Sequence, residues 1–319
     1  MDCQHCQGRT KKFGRTKDGR QRFRCLTCRK ISAAHKANPQ RGRHLPPERV
    51  LMILNLLCEG VSIRACQRIT GTERRPILRL LAKVGAGCER FLAETVKGLD
   101  VTDVEADELW TYVFCKQKVK ERKYSDHPEA GDAYCFLGIE RSSKLILAWH
   151  LGRRTSEDTD LFIGKLANAT KNQFQISTDG WQAYPECISA HLGERVDYAQ
   201  QIKQFGNVGG EEGRRYAPPR LIGSEKFWIL GEPDESRVGT SRVERANWTV
   251  RTHLRRFTRL SNGFSQKRAY LRAAIALFVV YYNFAKWHET IRMTPAMHAG
   301  LTKKPWTVAD ILEAALKAA

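Results

Sequence analysis

Apolar residues recur at three- and four-residue spacing near the start of the chain. Val50, Leu51, Leu54 and Leu57 share one face of a predicted helix from Pro47 to Cys58. Ser62 is placed to cap a short second helix, IRACQRIT, which Gly71 ends, and Thr72 opens a third through Ile77, Leu78, Leu81 and Val84. Pro76 sits in the first turns of that third helix and removes a backbone bond, so a shifted or distorted start is expected. From Leu99 the pattern becomes extended: 101–110 and 111–115 read as strand. A charged loop over 116–132 leads to strands at 133–140 and 145–153, joined by a turn at Arg141 to Lys144. Leu161, Phe162, Leu166 and Ala169 then form the buried stripe of a helix from Ser156 to Ala169. A strand over 173–179, a helix over 183–192 and a strand over 194–200 follow.

Three antiparallel strands followed by αβαβ and a later helix is the order of an RNase H-like domain. The expected fold class is therefore α/β, a mixed five-stranded sheet with helices on both faces. The stretch 202–239 is rich in Gly, Pro and charge and reads as a mobile insertion. Helices are expected again from Ser241, over 267–285 and over 307–316, with a turn around Thr294 and Pro295. The longest apolar run, Ala273 to Tyr282, is far short of the roughly 20 residues a membrane span needs, so it predicts a buried helix.

Charge changes the picture. Lys plus Arg number 54 against 34 Asp plus Glu in 319 residues, a net charge of +20. An excess of that size favours a polyanionic partner, nucleic acid before membrane, through phosphate neutralisation and counterion release. Cysteine spacing adds a metal: Cys3-x2-Cys6 and Cys25-x2-Cys28 offer four thiolates to one structural Zn²⁺, with a β-hairpin between the pairs. So small a module has almost no core, and the metal would supply most of its folding energy. Arg9, Lys11, Lys12, Arg15, Lys17, Arg20, Arg22 and Arg24, with Phe13 and Phe23 among them, suit a ribbon laid along phosphates. A merely solvated basic face is the competing reading. The other cysteines lack ligand spacing, and the polar N-terminus is expected to carry no secretory signal.

The expected organisation is a zinc ribbon at 1–33, a basic linker at 34–45, a helix-turn-helix module at 46–97, a catalytic domain at 98–290 and a helical tail at 291–319. In the helix-turn-helix, Arg74, Arg75 and Arg79 lie on the third helix, the candidate recognition helix; a plain helical spacer is the alternative.

Catalytic chemistry is expected from three acids. Asp107, in EADELW, lies on the first strand of the sheet, and Asp179, in STDGW, ends the fourth, which neighbours it in this topology. Glu244 opens a helix otherwise crowded with arginines, where Glu244, Asn247, Trp248, Arg251 and Arg255 fall on one face. Converging carboxylates repel unless cations compensate, so two Mg²⁺ or Mn²⁺ are implied, suited to in-line phosphoryl displacement. Asn247, Arg251 and Arg255 would then hold the DNA. Glu105 shares the strand face of Asp107 and is its nearest substitute, whereas Glu108 points to the other side of a regular strand. His288 is either a phosphate donor or a structural histidine.

The motifs DELWTYV, TDGWQAY and SRVERANWTVRTHLRRFTRLSNGFSQK resemble transposases of the insertion-sequence-one family, and NFAKWHETIRMTPAM is similar to the C-terminal box of other DDE transposases. The resemblance implies a zinc ribbon, a helix-turn-helix and a DDE-type RNase H-like domain, with Asp107, Asp179 and Glu244 as the metal-binding triad. It implies double-stranded DNA partners, the element's terminal inverted repeats and target DNA, and strand cleavage and transfer by transesterification. A homodimer or larger assembly that pairs two ends is expected, in a prokaryotic cytoplasm at the nucleoid. A hydrolytic nuclease of the same fold and a non-catalytic DNA-binding regulator are the alternatives.

Overall fold

The computed structural model describes residues 2–3, 5–16, 21–33, 45–206, 220–258 and 261–318. The expected linker over 34–44, the bases Lys17 and Arg20, and residues 207–219 of the expected insertion lie outside them. The chain forms two compact units, Met1–Pro46 and Pro47–Ala319.

In the first unit, β1 (Thr10–Arg15), β2 (Gln21–Cys25) and β3 (Ile31–Ala33) form an antiparallel sheet in that order. The expected hairpin thus gains a third strand, which returns the chain after the second cysteine pair. The guanidinium groups of Arg22 and Arg24 both stand 5.4 Å from the centre of the Phe13 ring, so aromatic and basic residues share one surface.

The second unit opens with α1 (Pro47–Cys58), α2 (Ile63–Thr70) and α3 (Arg74–Thr95). The Ser62 hydroxyl accepts the Ala65 N–H, and Gly71 closes α2 at φ 66°, both as the local sequence requires. Pro76 causes no delay: it is the third residue of α3, where backbone N–H groups have no intrahelical partner to lose. α3 runs to Thr95, well beyond the apolar stripe that announced it.

Next come β4 (Asp103–Val113), α4 (Gln117–Lys123), β5 (Gly131–Glu140), β6 (Ile146–Gly152), α5 (Ser156–Ala169), β7 (Phe174–Thr178), α6 (Tyr184–His191), β8 (Val196–Gly206) and β9 (Arg220–Leu230). α4 lies inside the stretch expected to be a charged loop. The sheet has six strands, not five, in the order β6-β5-β4-β7-β8-β9. β4, β5 and β6 pair antiparallel, β4, β7 and β8 pair parallel, and β9 returns antiparallel to β8. The stretch taken for an insertion from residue 202 therefore contains the end of β8 and all of β9. Its Gly, Pro and charge masked an edge ribbon whose apolar residues, among them Phe205, Ile222 and Trp228, are exposed and give no alternating burial.

The chain closes with α7 (Ser241–His253), α8 (Arg268–Val280), α9 (Pro295–His298) and α10 (Val308–Lys317). A π-helical turn, Tyr281–Ala285, follows α8. α8 is buried almost all round, from Leu271 to Val280, which explains its unbroken apolar run. Its C-terminal extension serves the sheet: buried Asn283 accepts the Ile146 N–H and donates to the Ile146 carbonyl, satisfying the edge strand β6. α10 is announced by a capping box, in which Thr307 and Asp310 bond each other's backbone N–H. No helix among the described residues is long and apolar enough to cross a membrane.

α3 joins the N-terminal helices to the rest of this unit through two glycines. A Cβ on Gly85 would stand 2.5 Å from the Ala273 backbone on α8, and one on Gly87 would stand 2.0 Å from the Ala315 carbonyl on α10. Gly→Ala inside a helix ordinarily stabilises by about 1 kcal/mol. At Gly87 the sign reverses, because α10 must move away. Gly87→Ala is expected to cost about 1–3 kcal/mol, the usual range for overpacking. Urea unfolding measures it, and a variant as stable as the parent would contradict the close approach.

Candidate functional site

The four cysteines of the first unit meet. Their sulfurs all lie within 4.8 Å of one another, with Cys3 to Cys28 and Cys6 to Cys25 each at 3.5 Å. The two pairs are built alike: Cys3 N–H donates to the Gly8 carbonyl and Cys25 N–H to the Lys30 carbonyl, each five residues on. Gln7 and Arg29, each just after a pair, share φ 56°. This repeated turn aims two sulfurs inward from each side, the tetrahedral donor set that suits Zn²⁺. Backbone N–H groups favour the Cys3 and Cys25 thiolates, while at Cys28 the pull of the Lys30 N–H is outweighed by burial and the neighbouring thiols, which raise it. The Cys28 N–H donates to Cys25 and draws its thiol down to about 6, and the His5 N–H lowers Cys3. Stripping zinc with a thiol-competitive chelator should therefore melt β1 to β3 while leaving the helical signal of Pro47–Ala319. Circular dichroism with proteolysis of the N-terminal region checks this; an unchanged protease pattern would count against a structural metal.

A second cluster forms where β7 ends beside the middle of β4. β4 and β7 pair from Asp103–Gln175 to Ala106–Thr178, and there β7 stops. Asp107 and Glu108 thus extend β4 just past the end of its neighbour, and Asp179 is the first residue beyond that end. Successive strand residues point to opposite faces. Past the last residue paired with β7, however, no strand separates those faces on that side, while β5 still pairs with both residues on the other. Oxygens of Asp107, Glu108 and Asp179 come within 4.8 Å of one another. This corrects the expectation that Glu108 is turned away.

Glu105, the expected substitute, has a different task. Its carboxylate accepts the N–H groups of Arg242 (2.6 Å) and Val243 (2.9 Å), so it caps α7 and fixes that helix on β4. α7 in turn lays Asn247 against the cluster. The buried Asn247 amide donates to Asp107 Oδ2 at 2.7 Å, and the Glu108 N–H donates to Asp107 Oδ1 at 2.8 Å. Glu108 is held by Arg154 Nε at 2.5 Å and by the hydroxyl of the fully buried Tyr184 at 3.0 Å. Arg154 also reaches Asp179 at 3.4 Å and lies 4.4 Å over the Trp181 ring.

Glu244 stands at the rim. Its carboxylate accepts from the Thr240 hydroxyl at 3.0 Å and pairs with Lys203, a residue of β8 in the segment taken for an insertion. Its charge still reaches the cluster, since it raises both Asp107 and Asp179. Burial is the larger cause at both. Burial, then the charges of Asp179 and Glu108, push Asp107 to about 8; burial and Asp179 push Glu108 to about 7 against the pull of Arg154 and Tyr184.

Such a set of oxygen donors fits a hard divalent cation and does not suit zinc. The sign of the pH effect follows. A carboxyl raised from 3.8 to about 8 on folding binds its proton more tightly in the native state, so stability is full at acid pH and falls as pH rises towards 8. Mg²⁺ needs the ionised form and relieves the repulsion. Its addition should raise the melting temperature more at pH 8 than at pH 5, as differential scanning calorimetry would show; an equal shift at both would contradict a carboxylate site.

The remaining expected DNA contacts lie apart. Arg74, Arg75 and Arg79 are exposed on the first turns of α3. Arg251 is half-buried on α7. Arg255 leaves the expected face: α7 ends at His253, and Arg255 belongs to a separate 3-10 turn, Arg255–Phe257. Asn247, being buried, orients Asp107 and offers no open surface. His288 packs edge-on to Tyr282 at 4.7 Å, and burial lowers it to about 4, the state of a structural histidine.

No protein-family model matches the chain, and no curated protein matches it. Among solved structures it aligns with a cryo-EM structure of a piggyBac transposase synaptic complex with hairpin DNA, at 10% identity and a TM-score of 0.38, over 86% of this chain and 72% of that one. Likeness of that degree assigns neither family nor activity. Among the described residues, this mixed α/β protein has one thiolate cluster and one carboxylate cluster, each able to hold a metal ion.

Proposed function

We propose that the chain is a DNA transposase with an RNase H-like catalytic domain of the DDE type, which binds the terminal repeats of a mobile element and cuts and rejoins DNA. The observation that carries this is the meeting of Asp107, within β4, and Asp179, just past the end of the adjacent β7, with Glu244 on the helix laid across them. The sheet order supports the fold: three antiparallel strands, the first of which pairs in parallel with β7 and β7 in turn with β8, followed by a helix on the site.

Two bound Mg²⁺ or Mn²⁺ would activate the attacking oxygen and neutralise the leaving one. Asp107 would hold ions from within β4 and Asp179 from just past the end of β7, and Glu244 would complete the set from α7. Asn247 keeps the Asp107 carboxylate turned into the site, and Glu105 keeps α7 at the depth this requires. Arg154 offsets part of the charge of Glu108 and Asp179. Arg74, Arg75 and Arg79 on α3 would bind repeat DNA.

The test is incubation with DNA carrying the inverted repeats that flank the coding region, with Mg²⁺. Cut 3′ ends joined to a second DNA are the expected result. Ends cut and left free would mean a hydrolytic nuclease, and binding with no metal-dependent cleavage would mean a regulator.

A further inference from the structure

A cleft of about 430 Å³ opens at the start of β4, four residues before Asp107, lined by Asp103, Arg141, Lys144, Arg237, Arg242 and Thr290 among others. Four of these six are cations. Among the described residues only Arg237 has carboxylate partners, Asp103 at 3.2 Å and Asp234 at 3.0 Å. Arg141 donates to the Arg237 carbonyl at 2.7 Å, and Lys144 bonds the Thr290 hydroxyl. The Arg242 guanidinium has no hydrogen-bond partner among the described residues.

The cations are held in place. The β5–β6 turn that carries Arg141 and Lys144 is pinned by the buried Glu140 carboxylate, which accepts the Ser142 N–H at 3.1 Å, the Ser143 N–H at 2.5 Å and the Ser142 hydroxyl at 2.9 Å. Lys144 is kept at φ 62°, a conformation unfavourable for a side-chain-bearing residue and retained here at the lip of the cleft. Arg242 is fixed by the bond from its own N–H to Glu105. That bond also means the first N–H groups of α7 are spent, so side chains build this site and not the helix terminus.

The nearby acids offset these charges only in part: Asp103 and Asp234 pair with Arg237, Glu140 is held by its turn, and the Glu105 carboxylate, bonded to α7, is felt by Arg141 and Arg242 without a direct contact. Burial, Arg242 and Arg245 all lower Lys144, as expected where cations crowd.

We propose that this cleft binds a phosphodiester of a polynucleotide backbone, clamped by Arg141, Lys144 and Arg242. It rests on the reading of the chain as a DNA-processing protein and adds an anchor outside the catalytic centre. The spacing is suitable. Five residues of α7 separate Arg242 from Asn247, a rise of roughly 7–8 Å, or about two nucleotides of duplex. A backbone phosphate held here would set the strand's register on the acids and press on the helix that carries Glu244.

The test is the salt dependence of duplex DNA binding, read by fluorescence anisotropy, for the full chain and for Lys144→Gln/Arg242→Gln. Each phosphate contact contributes about 0.9 to the slope of log K against log salt, so the double variant should bind more weakly whatever the DNA sequence, with a slope lower by about 1–2. The charge-preserving Lys144→Arg/Arg242→Lys should keep most of the slope. Equal affinity and slope in the parent and the Gln variant overturn the proposal. So does a Gln variant that loses only inorganic phosphate binding, which would make the cleft a free-anion site. A slope difference in a chain that never cuts DNA would sustain the cleft and refute the transposase reading.

Discussion

Asp107→Asn is expected to abolish DNA strand cleavage, with a loss of at least ~10³-fold, while repeat binding persists and the metal-free protein becomes more stable near pH 8. The three effects have one origin. Ion-mediated stabilisation of a phosphoryl transition state is worth several kcal/mol, and each 1.36 kcal/mol is tenfold in rate. An amide at position 107 keeps the shape, can still meet Asn247 and removes the charge that the ions need. It also removes a buried carboxyl pushed to about 8 by burial and by Asp179, Glu108 and Glu244. Near that pH, where half of it would ionise against its neighbours, losing it relieves repulsion. Cleavage on repeat DNA, anisotropy and thermal melting read the three separately. Cleavage at the parental rate would sink the assignment, and a lower melting temperature at pH 8 would show that Asp107 serves the fold.

The second large effect separates Glu244 from Glu108. Glu244→Gln should also lower cleavage by ~10² or more, with little change in stability, because its side chain is 48% exposed and its pair with Lys203 is a surface contact. Glu108→Gln should do the reverse. It leaves one acceptor oxygen where Arg154 and fully buried Tyr184 each have their own and turns an NH2 towards the other partner, a change worth about 1–3 kcal/mol of stability when a buried partner is left unsatisfied. Its effect on rate should be the smaller one. A dead Glu108→Gln beside an active Glu244→Gln would make Asp107, Glu108 and Asp179 the ligand set. Lys203 adds a control: releasing Glu244 by Lys203→Met should leave cleavage intact if Glu244 reaches the ions unaided.

Much of this was legible along the chain because its causes are local. The paired cysteines announced their cluster, since a knuckle needs only four consecutive residues to aim two sulfurs. Ser62, Gly71 and Thr307 marked helix ends through bonds that span three or four residues. β9 escaped because an edge ribbon with exposed apolar residues has no burial pattern to read. Arg255 was misplaced because helical spacing was extended past His253, beyond which no i to i+4 bond carries it.

The sequence by itself determined which residue types the carboxylate site contains: acids on the first and fourth strands and on the helix beyond, set among arginines. Only the tertiary structure decided how they meet. Glu108 joins Asp107 because β7 ends one residue before Asp179, a matter of register between strands about 70 residues apart. Glu105 became a helix cap, Asn247 a support for Asp107 and Lys203 the partner of Glu244 for the same reason. Spacing along a chain encodes the face a side chain occupies, whereas the partner it finds there depends on where neighbouring elements stop.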